Sequence, residues 1–261
     1  MELISFFKYQ GTGNDFVIID NRSLFFDKNQ AQVIQRICDR RFGIGADGFI
    51  LIENSPEQDF RMVYFNADGY EGSLCGNGGR CAVKFAQKLG LFDTETRFMA
   101  YDGPHEARVD ERGWVHLHMA NVGQVSSMGE GYFLDTGSPH YVEVVEQLKQ
   151  FDVLGKGAAL RYDARFELKG GTNVNFIEAD ASEACLHVRT YERGVENETL
   201  SCGTGVTASA LVSGLASPVQ IHTLGGTLAV SFEKTKDGTF QQIVLSGPAQ
   251  EVFEGRFPLT K

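Results

Sequence analysis

Two short elements occur twice in this chain, in the same order and at nearly the same spacing, and that duplication constrains the fold more than any other feature. The first is Gly11-Thr12-Gly13-Asn14-Asp15-Phe16-Val17, matched by Asp135-Thr136-Gly137-Ser138-Pro139-His140-Tyr141-Val142. The second is Cys75-Gly76-Asn77-Gly78, matched by Cys202-Gly203-Thr204-Gly205. Thr12 and Thr136 stand 124 positions apart, and Cys75 and Cys202 stand 127 apart. Repetition in a common order at nearly one offset marks two related halves. The junction falls in the Gly- and Ser-rich stretch from Asn121 to Gly131, so the expected domains are 1–124, carrying Cys75, and 125–261, carrying Cys202.

The local pattern within each half is α+β. Phe16–Ile19, Phe49–Ile52, Trp114–Met119 and Leu228–Phe232 are rich in β-branched or aromatic residues and read as strands. Gln30–Arg40 carries Val33, Ile34 and Ile37 at helical spacing. With 30 glycines and many short strands, the chain lacks the long helix–strand alternation of a doubly wound sheet. A length of 261 residues buries a core without disulfides or structural metals.

Charge and cysteine usage narrow the function. A formal charge of −10 disfavours nucleic acid and anionic membranes, which need clustered basic surface. No run approaches the roughly 18 apolar residues of a membrane span. Five cysteines are too few and odd in number for a disulfide framework. The opening Met1–Lys8 has neither a basic leader nor a cleavage site, and the expected location is the reducing cytoplasm.

The chemistry lies in the paired cysteines. Each Cys-Gly-x-Gly opens a helix-like run, where backbone N–H groups without intrahelical partners bind anions. The same field favours thiolate over thiol. One such element fits a cysteine hydrolase, a redox sensor or an anion-binding loop. Two copies fit proton removal from one face of a carbon by a thiolate and delivery to the other face by a thiol. The helix-start amides would then stabilise the enediolate-like charge on an α-carboxylate. This scheme needs no cofactor, and no motif for one is present. A non-catalytic anion-binding or redox-sensing protein is the competing class.

Gly11–Phe16, Arg41-Phe42-Gly43-Ile44-Gly45-Ala46-Asp47-Gly48, Phe65-Asn66-Ala67-Asp68-Gly69, Cys75–Cys81, and Tyr191-Glu192-Arg193-Gly194 with Glu198–Gly205 together resemble the diaminopimelate epimerase family over almost the whole chain. The resemblance implies two pseudo-symmetric domains, each a curved, mainly antiparallel sheet wrapped around a central helix, facing across a cleft. It implies interconversion of LL- and meso-diaminopimelate, a diamino dicarboxylate, without cofactor and usually as a homodimer, in lysine and cell-wall precursor synthesis. Cys75 and Cys202 match the acid/base pair. Gly76-Asn77 and Gly203-Thr204 match the groups holding the reacting carboxylate, and Asn14, Asn66, Asn173, Glu192 and Arg193 match substrate-binding positions. The resemblance also allows the end of the chain to return to the first domain. Racemases for proline-type or monoamino acids share the architecture and form the alternative substrate class.

The chain departs from the family pattern at three places. Ser138 stands where many members have Asn, Gly48 where some have Gln, and the loop after Arg193 is one residue longer. Cys38, Cys81 and Cys185 read as inert core thiols. Cys75 and Cys81 lack a second ligand pair for zinc, and His116-x-His118 reads as a solvated strand face. His140 suits either a cleft or a structural role.

Overall fold

The computed structural model describes residues 2–72 and 74–259. It divides into two compact units, Met1–Leu117 with Gly247–Lys261, and His118–Ser246.

The first unit begins with a hairpin of β1 (Glu2–Gly11) and β2 (Asn14–Asp20). Its turn is Thr12-Gly13, with φ of 51° and 85°. Two successive positive φ values give the turn that matches the twist of flanking strands, so Gly11 and Asn14 pair directly. A crossover through α1 (Ala31–Cys38) brings β3 (Gly48–Glu53) parallel to β2, and β4 (Phe60–Asn66) then runs antiparallel to β3. A second crossover through α2 (Gly76–Lys88) brings β5 (Glu95–Ala100) parallel to β4. β6 (Gly103–Val109) and β7 (Val115–His118) follow as antiparallel neighbours.

The second unit repeats this order. β8 (Ser126–Met128), β9 (Gly131–Asp135) and β10 (Pro139–Val144) form an antiparallel meander. A crossover containing α3 (Val153–Arg161) sets β11 (Asn173–Asp180) parallel to β10, and β12 (Cys185–Glu192) returns antiparallel. The short β13 (Asn197–Thr199) borders β12, and α4 (Gly203–Val212) leads to β14 (Val219–Thr223), parallel to β12. β15 (Gly226–Lys234) and β16 (Phe240–Gly247) complete the series.

The correspondence is broken at one strand. In the second unit the outer neighbour of β9 is β8, which precedes it in the chain. In the first unit the outer neighbour of β1 is β17 (Gln250–Leu259), which arrives from the far end of the sequence and pairs from Glu2↔Leu259 to Gln10↔Gln250. The compact units divide at Leu117/His118 rather than at 124/125, and Gly247–Lys261 lies with the first, the return of the chain end that the resemblance allowed. The physical reason is edge satisfaction: the long β1 needs a ladder partner for its backbone groups, and β17 supplies it.

Each unit wraps its sheet around one buried helix. α2 packs against β1, β2, β3 and β4, and α4 against β9, β10, β11, β12, β14 and β15. Cys81, Ala82, Val83, Phe85 and Ala86 of α2 are fully buried. In α4, Val206, Ala208, Ala210 and Leu211 share a core with Val188, Ile221, Leu228, Val230 and Leu245. Truncating a buried aromatic such as Phe85 to Ala costs about 3–5 kcal/mol, so these helices anchor their units. A helix buried on all sides cannot leave polar groups unpaired; Thr207 and Ser209 donate back to the carbonyls of Gly203 and Gly205, 2.9 and 2.8 Å away. α1 covers the other face of the first sheet, packing Ile34 and Ile37 on Phe26, Phe49, Leu51 and Val63.

Candidate active site

Both candidate cysteines occupy the residue just before a central helix. Cys75 has φ −87° and ψ 121°, and Cys202 has φ −114° and ψ 115°. Each carbonyl starts the helical ladder, accepting from the amide of Gly79 at 2.7 Å and of Val206 at 2.9 Å. Neither sulfur caps its helix, and neither first turn contains an acidic residue. The amides of Gly76, Asn77 and Gly78, and of Gly203, Thr204 and Gly205, therefore have no acceptor from the position that normally caps a helix. Such a helix start is an anion site.

In the first unit, Asn14 joins the hairpin to the helix start. Its Nδ2 donates to Asp47 Oδ2 at 2.7 Å, and a carboxylate only accepts, so Oδ1 is the atom turned toward the cysteine. Cys75 Sγ lies 3.6 Å from Asn14 Oδ1, and Asn77 Nδ2 donates to the same oxygen at 3.3 Å. Cys75 thus faces an acceptor that suits its S–H form. Asp47 is held by Arg40 at 2.6 Å, and Arg40 and Lys8 both hold Asp15 at 2.7 Å. Burial works to raise the acidity threshold of Asp15, but the Arg40 and Lys8 hydrogen bonds override it and hold the carboxyl at about 2. Lys8 also donates to the Gly45 carbonyl.

Asn66 sits at the end of β4, opposite Gly48, at the sheet end where β2 begins with Asn14. Tyr64 Oη donates to Asn66 Oδ1 at 3.0 Å. A Cβ on Gly48 would stand 2.6 Å from the Tyr64 ring and 2.9 Å from the Phe65 carbonyl. The departure at Gly48 thus makes room for the aromatic ring that orients Asn66.

Arg80, one turn into α2, is wholly buried. Its guanidinium donates to Thr12 Oγ1 at 3.1 Å, Asn77 Oδ1 at 3.0 Å and the Gly76 carbonyl at 3.3 Å. Burial lowers its pKa to about 10, while the neighbouring Cys81 and Cys75 sulfurs work in the opposite direction. Arg80 is not among the candidate residues of the sequence reading. Only the fold turns it under the helix start, where it locks Asn77 and supplies positive charge.

In the second unit, a chain of hydrogen bonds ends at Cys202. Asn175 Nδ2 donates to the Tyr141 carbonyl at 3.2 Å, which fixes the amide orientation. The same Nδ2 lies 3.1 Å from His140 Nδ1, so that nitrogen accepts and Nε2 carries the hydrogen. Nε2 donates to Thr204 Oγ1 at 2.9 Å, leaving the hydroxyl hydrogen for Cys202 Sγ at 3.5 Å. Burial, helped by the Arg193 charge, lowers the His140 pKa to about 3, so the ring stays neutral and the direction of the chain holds. Thr136 Oγ1 donates to the Thr204 carbonyl at 2.9 Å, and Thr190 Oγ1 to Asn175 Oδ1 at 2.9 Å. Gly205 is required for space: a Cβ there would approach Asn175 Oδ1 to 2.4 Å and Cys202 Sγ to 3.3 Å.

Asn173, Arg193 and Ser138 form an adjoining cluster. His140 and Asn173 are ladder partners. Asn173 Nδ2 donates to Ser138 Oγ and the Pro139 carbonyl, both at 2.9 Å, and its Oδ1 accepts from the Arg193 amide at 2.9 Å. Arg193 Nη2 lies 3.4 Å from Ser138 Oγ. Ser138, a departure from the family pattern, is therefore the hub between these two predicted residues. Glu192 accepts from Thr199 Oγ1 at 2.8 Å. The longer loop is accommodated by Glu196 at φ 56°, whose carboxylate takes the Gly194 amide at 3.0 Å and Arg161 at 3.1 Å.

The predicted residues thus gather as Asn14, Cys75, Gly76 and Asn77 in one unit, with Asn66 at the same sheet end. Cys202, Gly203 and Thr204 gather in the other, with Asn173 and Arg193 alongside. Asn175, Thr136 and Arg80 carry no assigned role in the sequence reading, and His140, open there to a cleft or a structural role, joins the hydrogen-bond chain at Cys202. The second Thr-Gly element held the signal for Thr136 and His140, because its first copy supplies Thr12 and Asn14 to the other site.

A profile of diaminopimelate epimerase matches residues 6–125 and 132–252. The chain belongs to the diaminopimelate epimerase family. Relatives named diaminopimelate epimerase include that of Flavobacterium psychrophilum, 48% identical over 95% of this chain and 98% of its own. That of Chlorobaculum tepidum is 45% identical over 95% and 99%, and that of Aquifex aeolicus is 40% identical over 97% and 97%. As a member of this family the chain is an isomerase. The fold recurs in a phenazine biosynthesis protein of the PhzF family from Bacillus anthracis, with TM-score 0.76, 16% identity and 99% and 100% of the two chains covered. It recurs also in a hydroxyproline epimerase from Agrobacterium vitis, with TM-score 0.68, 13% identity and 97% and 92% covered. Among the described residues no helix is long and apolar enough to cross a membrane.

Proposed function

We propose that the chain interconverts LL- and meso-diaminopimelate by two-base proton transfer at the α-carbon, with Cys75 and Cys202 as the proton carriers and no cofactor. The supporting observation is the opposed hydrogen bonding of the two cysteines. Cys75 faces the carbonyl oxygen of Asn14, which accepts from a thiol; Cys202 faces a Thr204 hydroxyl directed to donate to a thiolate. A two-base inversion needs one cysteine in each state at the start.

The Cys202 thiolate removes the α-proton, and the C–H electron pair moves into the carboxylate. Amides and Thr204 at one helix start, with amides and Asn77 at the other, stabilise the enediolate charge that develops. The Cys75 S–H then delivers its proton to the opposite face, and the two sulfurs exchange protonation states. Arg80 adds positive charge beneath the first helix start without titrating near neutral pH. Asn66, Asn173, Glu192 and Arg193 hold the distal amino-acid group. Arg193 is suited to its carboxylate and Glu192 to its ammonium. The same reading makes the protein a homodimer of the reducing cytoplasm, where thiols persist.

The test is incubation of reduced protein with LL- or meso-diaminopimelate in deuterium oxide. The expected result is interconversion with one deuterium at the inverted α-carbon, abolished by Cys75→Ala and by Cys202→Ala. No turnover by folded, reduced protein removes this substrate; near-normal turnover by either variant removes the two-base scheme. Gel filtration with light scattering tests the dimer.

A further inference from the structure

On the second unit, three metal-binding side chains converge, Glu183, Cys185 and His222, with His187 beside Cys185. β12 alternates: Leu186 and Val188 enter the core around α4, so Cys185 and His187 lie on its opposite face. β14 runs parallel beside it with His187 opposite His222 and Cys185 opposite Gln220, so both histidines belong to that outer face. The tight turn from β11 into β12 brings Glu183 over the same place, with Asp180 Oδ1 accepting from the amides of Ser182 and Glu183 at 2.8 and 3.2 Å.

The donor atoms are close enough to share one ion. Ligand atoms of Glu183, Cys185 and His222 all lie within 4.8 Å of one another. Glu183 Oε2 is 3.9 Å, and His187 Nε2 3.8 Å, from Cys185 Sγ. A tetrahedral zinc with Zn–S near 2.3 Å and Zn–N near 2.0–2.1 Å keeps its S and N ligand atoms about 3.5 Å apart, so only small rotations are needed. The support around the ring is also present. Thr227 Oγ1 lies 3.1 Å from His222 Nδ1, which engages that nitrogen and leaves Nε2 for coordination.

We propose that Glu183, Cys185 and His222 form a binding site for a thiophilic divalent cation, zinc, with water in the fourth position. One thiolate and one carboxylate neutralise the ion, and imidazole with thiolate selects zinc over calcium or magnesium. Cys185, read from the sequence as an inert core thiol, is buried beside Glu183 and His187. Binding breaks the Cys185 S–H bond, forms Zn–S and releases one proton to solvent, so affinity falls as pH is lowered. The ion ties the turn before β12 to β14 and stabilises this unit by binding only the folded form.

The experiment uses metal-free, reduced protein carrying Cys75→Ser and Cys202→Ser, so that the active-site thiols cannot bind metal. Zinc is titrated against a chromophoric chelator, and cobalt(II) is added as a spectroscopic probe. One equivalent should bind, with a thiolate-to-cobalt charge-transfer band and the intense visible bands of tetrahedral cobalt. Adding Cys185→Ser should remove the charge-transfer band, and His222→Ala or the surface change Glu183→Ala should weaken zinc at least tenfold. Zinc should raise the melting temperature of the double variant but not of the triple variant with Cys185→Ser. No binding in the double variant, or binding unchanged by His222→Ala and Glu183→Ala in protein with native circular dichroism, overturns the site. In the wild-type background, Cys185→Ser should leave diaminopimelate turnover within about twofold.

Discussion

Replacing Thr204 by Val keeps the shape of the side chain and removes one hydroxyl, which isolates the hydrogen-bond chain at Cys202. That hydroxyl accepts from His140 Nε2 at 2.9 Å and faces the sulfur at 3.5 Å. A hydrogen bond to a charged group contributes about 1.5–3 kcal/mol. Each 1.36 kcal/mol of differential stabilisation moves an acid–base equilibrium by about one unit. Losing the donor disfavours the thiolate, so the acidic limb of the kcat/KM profile should move up by about one to two pH units. Below the limb, each unit costs about tenfold, so turnover in the direction in which Cys202 is the base should fall about 10- to 100-fold. The variant also leaves the buried Nε2–H of His140 without its acceptor, a cost of about 1–3 kcal/mol in stability. Deuterium incorporation followed from pH 5 to pH 10, with urea unfolding on the same preparations, reads both effects. Thr204→Ser keeps the hydroxyl and should restore the limb. An unshifted limb in folded Thr204→Val would refute the donor role of Thr204 and, with it, the assignment of Cys202 as the initial thiolate.

Three further outcomes follow from the geometry. Gly205→Ala places a Cβ 2.4 Å from Asn175 Oδ1, whereas Gly78→Ala meets the Phe16 ring at 3.3 Å. Overpacking of the first kind costs about 1–3 kcal/mol, so Gly205→Ala should lower both kcat and the urea midpoint more than Gly78→Ala does; equal effects would contradict the crowding at Asn175. Arg80→Met removes the buried guanidinium that holds Asn77 and Thr12, and kcat/KM should drop by at least about tenfold, or about 1.4 kcal/mol. Unchanged kinetics in the folded variant would show that its charge and its grip on Asn77 are dispensable.

The third concerns acid stability. Because Asp15 is held at about 2 in the folded chain against an ordinary 3.8, its stabilisation is complete above pH 3.8 and lost as pH falls toward 2. At 1.36 kcal/mol per unit this amounts to about 2 kcal/mol. Asp15→Asn should therefore flatten that part of the acid-unfolding curve; a parallel curve would mean that the Lys8 and Arg40 contacts contribute nothing.

How much of this was legible beforehand differs from residue to residue. The duplicated elements disclosed two similar units, and Cys-Gly-x-Gly disclosed two helix starts, because glycine spacing and capping are local properties carried by neighbouring residues. Observed helices begin at Gly76 and Gly203, next to the cysteines. The expected helix in Gln30–Arg40 forms over Ala31–Cys38, and the strand in Trp114–Met119 over Val115–His118, since frayed ends are set by ladder and cap contacts rather than by periodicity. His116, expected on a solvated face, lies 3.2 Å from Asp110.

What the sequence alone determined is the local chemistry: a thiol ahead of a glycine-rich helix, twice, and turns that only small residues permit. Tertiary structure decided everything that depends on long-range neighbours. It chose β17 as the partner of β1, 240 residues apart at Gln10↔Gln250. It aimed the Asn14 carbonyl at one sulfur and the Thr204 hydroxyl at the other. It also brought Cys185 and His222 together on adjoining strands. Hydrogen-bond direction and donor convergence come from side chains far apart in the chain, and no local pattern encodes which of them will meet.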